Sequence, residues 1–275
     1  MMFSIRRTLF ILQSIFILPL AMANPESDRE SFSAYYKDRF PGVELTAHVD
    51  GAYALDAQKK EQWLAMEDFP PYEFAIDDGE TLFNAPFSNG KTYAACFEND
   101  GAVKHLYPYF DTQERQVVTL AVALNKCREL NDEETLDYAS EDIALLSTYI
   151  AYISRDEKIN IKIGPEGRAA YEKGKQYYYS RRGQLNFACS HCHMQMSGMK
   201  LRAETLSASL GHVTHWPTYR FKWQEVGGLH KRFIECNEQV GAEGLAMQSE
   251  TYRNLEYFLS FMSQGMPING PASRK

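Results

Sequence analysis

Residues 186–198, NFACSHCHMQMSG, decide the fold because they contain the motif Cys-x-x-Cys-His, formed by Cys189, Cys192 and His193. Two thiols separated by two residues can bond covalently to the vinyl groups of haem, and the adjacent imidazole then becomes the proximal iron ligand. A zinc site would need a second cysteine pair or suitably spaced histidines. A thioredoxin-type dithiol would need a surrounding βαβ pattern, which is absent from the sequence. The motif therefore predicts one covalently bound c-type haem.

The first 23 residues have the three parts of a secretory signal peptide. Arg6 and Arg7 form the positive region, residues 8–20 are apolar, and residues 21–23 (Ala-Met-Ala) form the cleavage site. The alternative is an uncleaved anchor, but the apolar run is shorter than the roughly 20 residues that a membrane-spanning helix needs. The sequence thus predicts cleavage before Asn24, a periplasmic location and no membrane span.

The charge balance limits the classes of partner. The whole chain of 275 residues has a formal charge of −7, and removal of the two arginines in the signal peptide makes it −9. Phosphate groups repel such a chain, so nucleic acid and anionic lipid surfaces are poor candidates for ligands. Small anions can still bind where basic side chains cluster.

Apolar periodicity predicts an all-α protein with two domains. Spacings of three and four residues indicate helices in several segments, namely 114–130, 139–154, 167–182 and 252–262. Residues 155–167 interrupt this pattern with charged residues, glycine and proline, which predicts domains at 24–157 and 158–275. Residues 24–50 have no steady period and are expected to form an arm or linker followed by a short first element. In the second domain, a helix, the haem motif and an aromatic-rich closing helix follow the order typical of a small cytochrome c.

The remaining cysteines need partners or uses, because an exported protein is in an oxidising compartment. Once Cys189 and Cys192 have bonded to haem, Cys96, Cys127 and Cys236 remain. Cys96 and Cys127 both lie in the first half, and a disulfide between them would close a loop worth roughly 3–4 kcal/mol in the chain-entropy model. That pairing would leave Cys236 as a reactive thiol, a metal ligand or a buried inert cysteine.

Cys236 lies in a predicted helix, one turn after Arg232, so both side chains project from the same face. A nearby cation favours the thiolate, and a guanidinium can hold an oxyanion through two hydrogen bonds. A thiolate is also a good axial haem ligand that lowers the iron potential. The rival distal ligands are the histidines His105, His212, His215 and His230 and the methionines Met194, Met196, Met199, Met262 and Met266.

Several segments together resemble the SoxA subunit of the SoxAX cytochromes of bacterial sulfur oxidation. They are YYYSRRGQLNFACSHCH (177–193), WPTYR (216–220), RFIECN (232–237) and LEYFLSFMSQGMPINGP (255–271). The resemblance implies a heterodimer with the small cytochrome SoxX. It also implies an L-cysteine S-thiosulfotransferase activity, in which thiosulfate is oxidatively joined to a cysteine of the SoxYZ carrier with release of two electrons.

The resemblance also implies roles for individual residues. His193 and Cys236 match the axial ligands of the active haem, and Arg232 matches the active-site arginine. Two-haem members of the family have a second attachment motif in the first domain, but here only Cys96 remains of it, and Cys127 occupies the position of that haem's cysteine ligand. The single-haem branch has a disulfide instead. The resemblance thus implies a Cys96–Cys127 bond and two cytochrome c-like domains, the first without haem.

Two other functions remain open at the level of the sequence. In a plain electron-transfer cytochrome c, Cys236 would be an iron ligand and Arg232 a partner of a haem propionate or a surface group. A thiosulfate dehydrogenase would differ only in the acceptor of the thiosulfate sulfur.

Overall fold

A computed structural model describes residues 24–275, and the predicted signal peptide at residues 1–23 lies outside the described residues. A 3₁₀ segment at Leu45–Leu55 follows the first helix. The helices are α1 Pro25–Arg39, α2 Ala57–Met66, α3 Glu73–Asn84, α4 Leu120–Glu129, α5 Glu141–Ile153, α6 Arg168–Tyr179, α7 Leu229–Gln239 and α8 Glu250–Met262.

Short strands accompany the helices, so the strictly all-α prediction needs correction. Within residues 24–275 the strands are β1 Tyr109–Asp111, β2 Gln116–Val118, β3 Lys200–Leu201, β4 Glu204–Thr205, β5 Thr218–Arg220, β6 Glu225–Gly227 and β7 Ala272–Arg274. Strands β1–β2 and β3–β4 form hairpins, while β5 pairs antiparallel with β6 and parallel with β7. Strands of two or three residues are too short to produce a recognisable alternation in the sequence, and their pairing depends on the tertiary fold.

Two hydrophobic cores organise the helices. In the first, α3, α4 and α5 bury large side chains such as Phe83, Leu124 and Leu146. In the second, α1, α6 and α8 bury aromatic side chains, among them Tyr36, Tyr171 and Phe258. The predicted helix at 139–154 is confirmed as α5, with the side chain of Ser140 accepting a hydrogen bond from the N–H of Ile143.

Both cores depend on a glycine at a close helix crossing. A Cβ atom at Gly79 of α3 would lie 2.3 Å from the carbonyl oxygen of Leu145 in α5. A Cβ atom at Gly174 of α6 would lie 2.0 Å from the carbonyl oxygen of Asn254 in α8. Any larger residue would force these helices apart, so the same packing device brings together the helix pair of each core.

The hairpin and the two helices that follow it occur twice at a constant spacing of 109 residues. Strands β1 and β2 begin at residues 109 and 116, and β5 and β6 begin at 218 and 225. Helices α4 and α5 begin at 120 and 141, and α7 and α8 begin at 229 and 250. Each hairpin also follows a cis peptide bond, before Pro108 and before Pro217. We call residues 107–156 the first repeat and residues 216–265 the second repeat.

The expected arm at residues 24–50 begins with helix α1, which packs on the second core rather than the first. Asn24 caps the helix through a side-chain bond to the N–H of Glu26, and Pro25 occupies the first helical position. Phe32 and Tyr36, one turn apart, are buried in the second core. Helix α1 therefore belongs to the wall of the site that contains the haem motif.

Candidate haem centre

The attachment motif lies in the connection after helix α6. His193 is within a short π-helical turn, His191–Gln195, which also includes Cys192. The thiols of Cys189, Cys192 and Cys236 are not in disulfides. The structure therefore leaves both attachment cysteines available for thioether bonds.

The imidazole of His193 is oriented by its neighbours. Its Nδ1 atom lies 3.0 Å from the carbonyl oxygen of Ser207, which can only accept a hydrogen bond, so the proton is assigned to Nδ1. Burial lowers the pKa of His193 to about 4, so the ring is neutral and its Nε2 lone pair is free for a metal. This is the arrangement that a proximal haem ligand requires.

Helix α1 supports the backbone of the motif. The Tyr36 hydroxyl donates to the carbonyl oxygen of His193 at 2.6 Å and accepts from the N–H of Ser209 at 3.1 Å. Arg39 donates to the carbonyl oxygen of Ser197 at 3.0 Å. Sequence reasoning missed these contacts. The only local signals were the capped proline start of α1 and the spacing of Phe32 and Tyr36.

Five of the nine alternative histidine and methionine ligands have other contacts in the structure. The ring of His212 lies 4.5 Å from the ring of His193, on the side that supports it, and burial lowers the pKa of His212. His215 contacts the carbonyl oxygen of Val49 at 3.2 Å. His230 Nδ1 accepts from the N–H of Gln248 at 3.0 Å, and its Nε2 atom lies 3.0 Å from the buried carboxylate of Glu256. The methionines at 262 and 266 are part of the second core.

Cys236 lies close enough to the attachment cysteines for its charge to affect their pKa values. Burial raises the pKa of both attachment thiols, and the charge of Cys236 raises them further. A cation acts in the opposite direction, since Arg182 Nη1 lies 3.5 Å from the Sγ atom of Cys189. The structure thus brings Cys189, Cys192 and Cys236 into one region, although Cys236 is more than forty residues away in the sequence.

Arg232 and Cys236 share helix α7, as predicted. The Arg232 side chain is only 21% exposed. Burial opposes its charge, but Cys236 and Glu235 outweigh burial and raise the pKa of Arg232. The guanidinium is therefore permanently charged beside the cysteine sulfur, in a place where water screens it weakly.

Glu235 is a further member of the site that sequence reasoning missed. Its Oε2 atom accepts from Arg232 Nη1 at 2.9 Å, and its Oε1 atom accepts from Trp223 Nε1 and Lys222 Nζ, each at 2.8 Å. Burial opposes ionisation of Glu235, but the bonds from Lys222, Trp223 and Arg232 outweigh it and lower its pKa to about 2. A carboxylate with three donors is ionised and fixed.

These residues fit a covalently bound haem with two axial ligands. A free thiol pair, a neutral imidazole with its Nε2 atom available and a third cysteine beside a guanidinium supply attachment and ligation. Apolar side chains packed on the second core, among them Tyr177 and Met194, lie near the motif in the sequence and match the need of haem for apolar contact.

The cysteine of the first repeat, Cys127, is paired with a cysteine that precedes the repeat. The predicted pair Cys96 and Cys127 forms a disulfide with a Cα–Cα distance of 5.8 Å. Asn131 donates to the carbonyl oxygen of Cys127 at 2.8 Å, and the Cys127 side chain is buried in the first core. Both cysteines of this region are thereby bonded to each other.

Comparison with known proteins gives one family. The model of the SoxA/TsdA cytochrome c domain matches residues 78–159 and 173–268. The SoxA subunit of L-cysteine S-thiosulfotransferase from Allochromatium vinosum is 50% identical over 260 residues, covering 94% of this chain and 92% of the relative. The corresponding SoxA subunit from Chlorobaculum thiosulfatiphilum is 49% identical over 253 residues, covering 91% and 88% of the two chains.

A solved structure has the same fold. It is the crystal structure of SoxXA from P. pantotrophus, which is similar with a TM-score of 0.72 and 26% sequence identity. The match covers 78% of this chain and 84% of that one. Within residues 24–275, no helix combines the length and the apolar character that crossing a membrane requires.

Proposed function

The chain belongs to the SoxA family of c-type cytochromes, and we propose that it is the catalytic subunit of a periplasmic L-cysteine S-thiosulfotransferase in thiosulfate oxidation. One observation supports this function above the alternatives. The cysteine predicted as the second axial ligand, Cys236, lies one helical turn after Arg232, a cation that is only 21% exposed and that a plain electron carrier does not need.

The reaction joins two sulfur atoms. The carrier cysteine loses its thiol proton, and its sulfur forms a new bond with the terminal sulfur of thiosulfate. Two electrons leave the pair of sulfur atoms, and the product is a cysteine thiosulfonate on the carrier. In this scheme the site must bind a small dianion, place a sulfur atom beside it and pass the electrons to an acceptor.

We propose one haem, attached through Cys189 and Cys192, with His193 and Cys236 as axial ligands. When bound, the haem supplies an iron that accepts electrons one at a time, at a low potential because one ligand is a thiolate. The chain's own contribution is to keep the His193 imidazole neutral through burial, to orient it through the carbonyl oxygen of Ser207, and to keep Cys236 next to a permanent cation.

Arg232 would hold the substrate. A guanidinium presents five N–H donors in a planar fork, and only Nη1 is bonded to Glu235. Its remaining donors match two oxygens of a sulfonate group, as they would match a carboxylate or a phosphate. This places the terminal sulfur of thiosulfate near the sulfur of Cys236.

The partners follow from the same reaction. We propose a heterodimer with the haem-containing SoxX subunit, which would receive electrons that a low-potential haem passes on poorly, and transient docking of the SoxYZ carrier. The first domain, with its disulfide in place of a haem, would be scaffold and interface.

The test is a conjugation assay with the complex, thiosulfate, the carrier and an oxidised cytochrome acceptor. Mass spectrometry of the carrier should show a thiosulfonate on its cysteine, formed with two reduced acceptor haems per event. Carrier-independent formation of tetrathionate would instead identify a thiosulfate dehydrogenase, and no thiosulfate consumption would leave an electron carrier.

The same instrument tests the cofactor. The intact mature chain should exceed its polypeptide mass by one haem, less the two protons of the disulfide. A mass increase of two haems would contradict the proposal.

A further inference from the structure

We propose that Glu235 is a positioning residue for thiosulfate, which fixes the guanidinium of Arg232 so that its free N–H groups face the substrate beside Cys236. The inference rests on the proposed function and adds a residue to it. Glu235 would act through Arg232, without touching substrate or haem.

The hydrogen bonds of Glu235 support this role. Its Oε2 atom accepts from Arg232 at 2.9 Å, while Oε1 accepts from Trp223 and Lys222 at 2.8 Å each. Its side chain is only 12% exposed, so the bonds from Arg232 and Trp223 are partly shielded from water, while Lys222 is 65% exposed. An arginine side chain has many rotamers, and a fixed carboxylate removes this freedom before the substrate arrives.

Trp223, the indole donor to Glu235, is itself packed by several side chains. Arg220 Cζ lies 5.4 Å and Lys231 Nζ 4.8 Å from its ring centroid. The ring of Trp216 lies at a centroid distance of 6.2 Å from it. These contacts restrict Trp223, so its bond helps to hold the carboxylate of Glu235 and, through it, Arg232.

The first repeat shows what the same position does without a site. Lys126 is the counterpart of Glu235, and it forms ion pairs with Asp111 at 3.3 Å and Glu114 at 2.6 Å on hairpin β1–β2. The residue before the helix cysteine therefore connects helix to hairpin in both repeats. The counterpart of Arg232 is the buried alanine Ala123, so only the second repeat adds a guanidinium to this connection.

Two roles can thus be separated for Glu235, a connection between helix and hairpin and the positioning of Arg232. A double-mutant cycle distinguishes them, because a residue that acts through Arg232 has no kinetic effect once Arg232 is absent. Glu235→Gln keeps the size of the side chain and removes the negative charge and at least one of the three bonds.

We expect Glu235→Gln to lower kcat/KM for thiosulfate roughly tenfold, the equivalent of one lost hydrogen bond to a charged group. The dissociation constant of thiosulfate, measured by calorimetry on the complex, should rise with it, and the haem spectrum should stay unchanged. In the Arg232→Ala background the same substitution should change kcat/KM less than twofold.

The matched control is Lys126→Met, which breaks the corresponding connection in the first repeat and should leave kcat/KM unchanged. If Glu235→Gln does not fold, Trp223→Phe removes one donor to Glu235 and keeps the ring, with an expected loss of a few-fold that also vanishes without Arg232.

Equal losses from Glu235→Gln in both backgrounds would overturn the proposal and leave only the connection between helix and hairpin. No loss in the parent background would overturn it as well. Parental kinetics for Arg232→Ala alone would be a separate failure, that of Arg232 in the proposed function.

Discussion

Helices α4 and α7 each have a cysteine at the eighth residue, after hairpins of the same register, but the two cysteines have different fates. Cys127 is bonded to Cys96, one turn after the small buried residue Ala123. Cys236 is unbonded, one turn after Arg232. The two hairpins that precede these helices pair their strands in the same register.

This helix position therefore does not by itself make a cysteine reactive. The partner thiol decides between a crosslink and a free sulfur, and the residue one turn earlier decides whether a cation lies beside it. For Cys127 of the first repeat, the disulfide to Cys96 and the small buried residue Ala123 both favour stability. In the second repeat the sulfur stays free and a guanidinium lies one turn before it, at the cost of withdrawing most of that cation from water.

The strongest test of this difference is Cys236→Met. A thioether can still ligate iron, so the haem should remain bound, in a higher-potential His/Met form. Thiosulfate conjugation should fall by about 1000-fold or more, because the thiolate is gone. Turnover and the haem spectrum are the measurements. Turnover near the parent rate would make the sulfur merely a ligand.

The next substitution tests how much the disulfide contributes to the stability of the protein. Replacement of Cys96 and Cys127 by serine opens a crosslink between residues 31 apart in the sequence. In the chain-entropy model this lowers the free energy of unfolding by about 3–4 kcal/mol. Denaturant unfolding measures the loss, and the haem spectrum of the double variant should match the parent. A changed haem spectrum would show that the repeats are not chemically independent.

Arg232→Ala gives the second repeat the alanine that the first repeat has at this position. The loss of one or two charge-assisted bonds to the substrate should raise the activation free energy by about 2–4 kcal/mol, which lowers kcat/KM roughly 30- to 1000-fold. Arg232→Lys should recover part of it, since the charge remains and the planar fork is lost. Arg128→Ala on helix α4 is the control and should keep the parental kcat/KM.

Local patterns in the sequence predicted what lies close along the chain. The haem motif, the helix at 139–154 with its serine cap, and the shared face of Arg232 and Cys236 all depend on spacings of a few residues. The predicted helix at 114–130 begins only at Leu120, because residues 116–118 pair with β1. A periodic pattern cannot show where a strand ends and a helix begins when both are apolar.

Contacts across the fold were beyond such patterns. Tyr36 and His193 are 157 residues apart, and their bond depends on the packing of α1 against the second core. Trp223 and Glu235 meet because a three-residue strand pairing turns the hairpin towards α7. Neither arrangement has a fixed spacing that sequence reasoning can read.

Tyr36→Phe tests the contribution of helix α1, which has no counterpart in the first repeat. The hydroxyl is fully buried and bonds both the carbonyl of His193 and the N–H of Ser209. Its removal deletes both of these bonds, while the N–H of Ser209 still donates directly to the carbonyl oxygen of His193 at 3.1 Å. We therefore expect a loss of about 0.5–1.5 kcal/mol in the free energy of unfolding, the size of an ordinary hydrogen bond. Tyr35→Phe is the neighbouring control. Equal stability of both variants would contradict the support we assign to Tyr36.

The smallest expected effect concerns a buried ion cluster that joins the two cores. Glu256 of the second repeat lies 3.0 Å from His230 and 3.9 Å from Lys104, which precedes the first repeat. Burial opposes ionisation of Glu256, but the bond from His230 and the charge of Lys104 outweigh it and lower its pKa. The counterpart of Glu256 in the first repeat is Ser147, so the first repeat has no carboxylate at this position.

The sign of the pH effect follows from the lowered pKa. A carboxyl whose folded pKa lies below its usual value of 4.5 stabilises the protein above that pH, and this stabilisation is lost as the pH falls towards the folded pKa. Glu256→Gln should therefore lower the melting temperature near neutral pH, and its difference from the parent should narrow below about pH 4.5. Glu250→Gln, in an ion pair with Lys173 whose two side chains are 63% and 64% exposed, is the control and should have little effect at any pH. A difference in melting temperature between the parent and Glu256→Gln that stays constant across this pH range would mean that the Lys104–Glu256 contact does not couple the two cores.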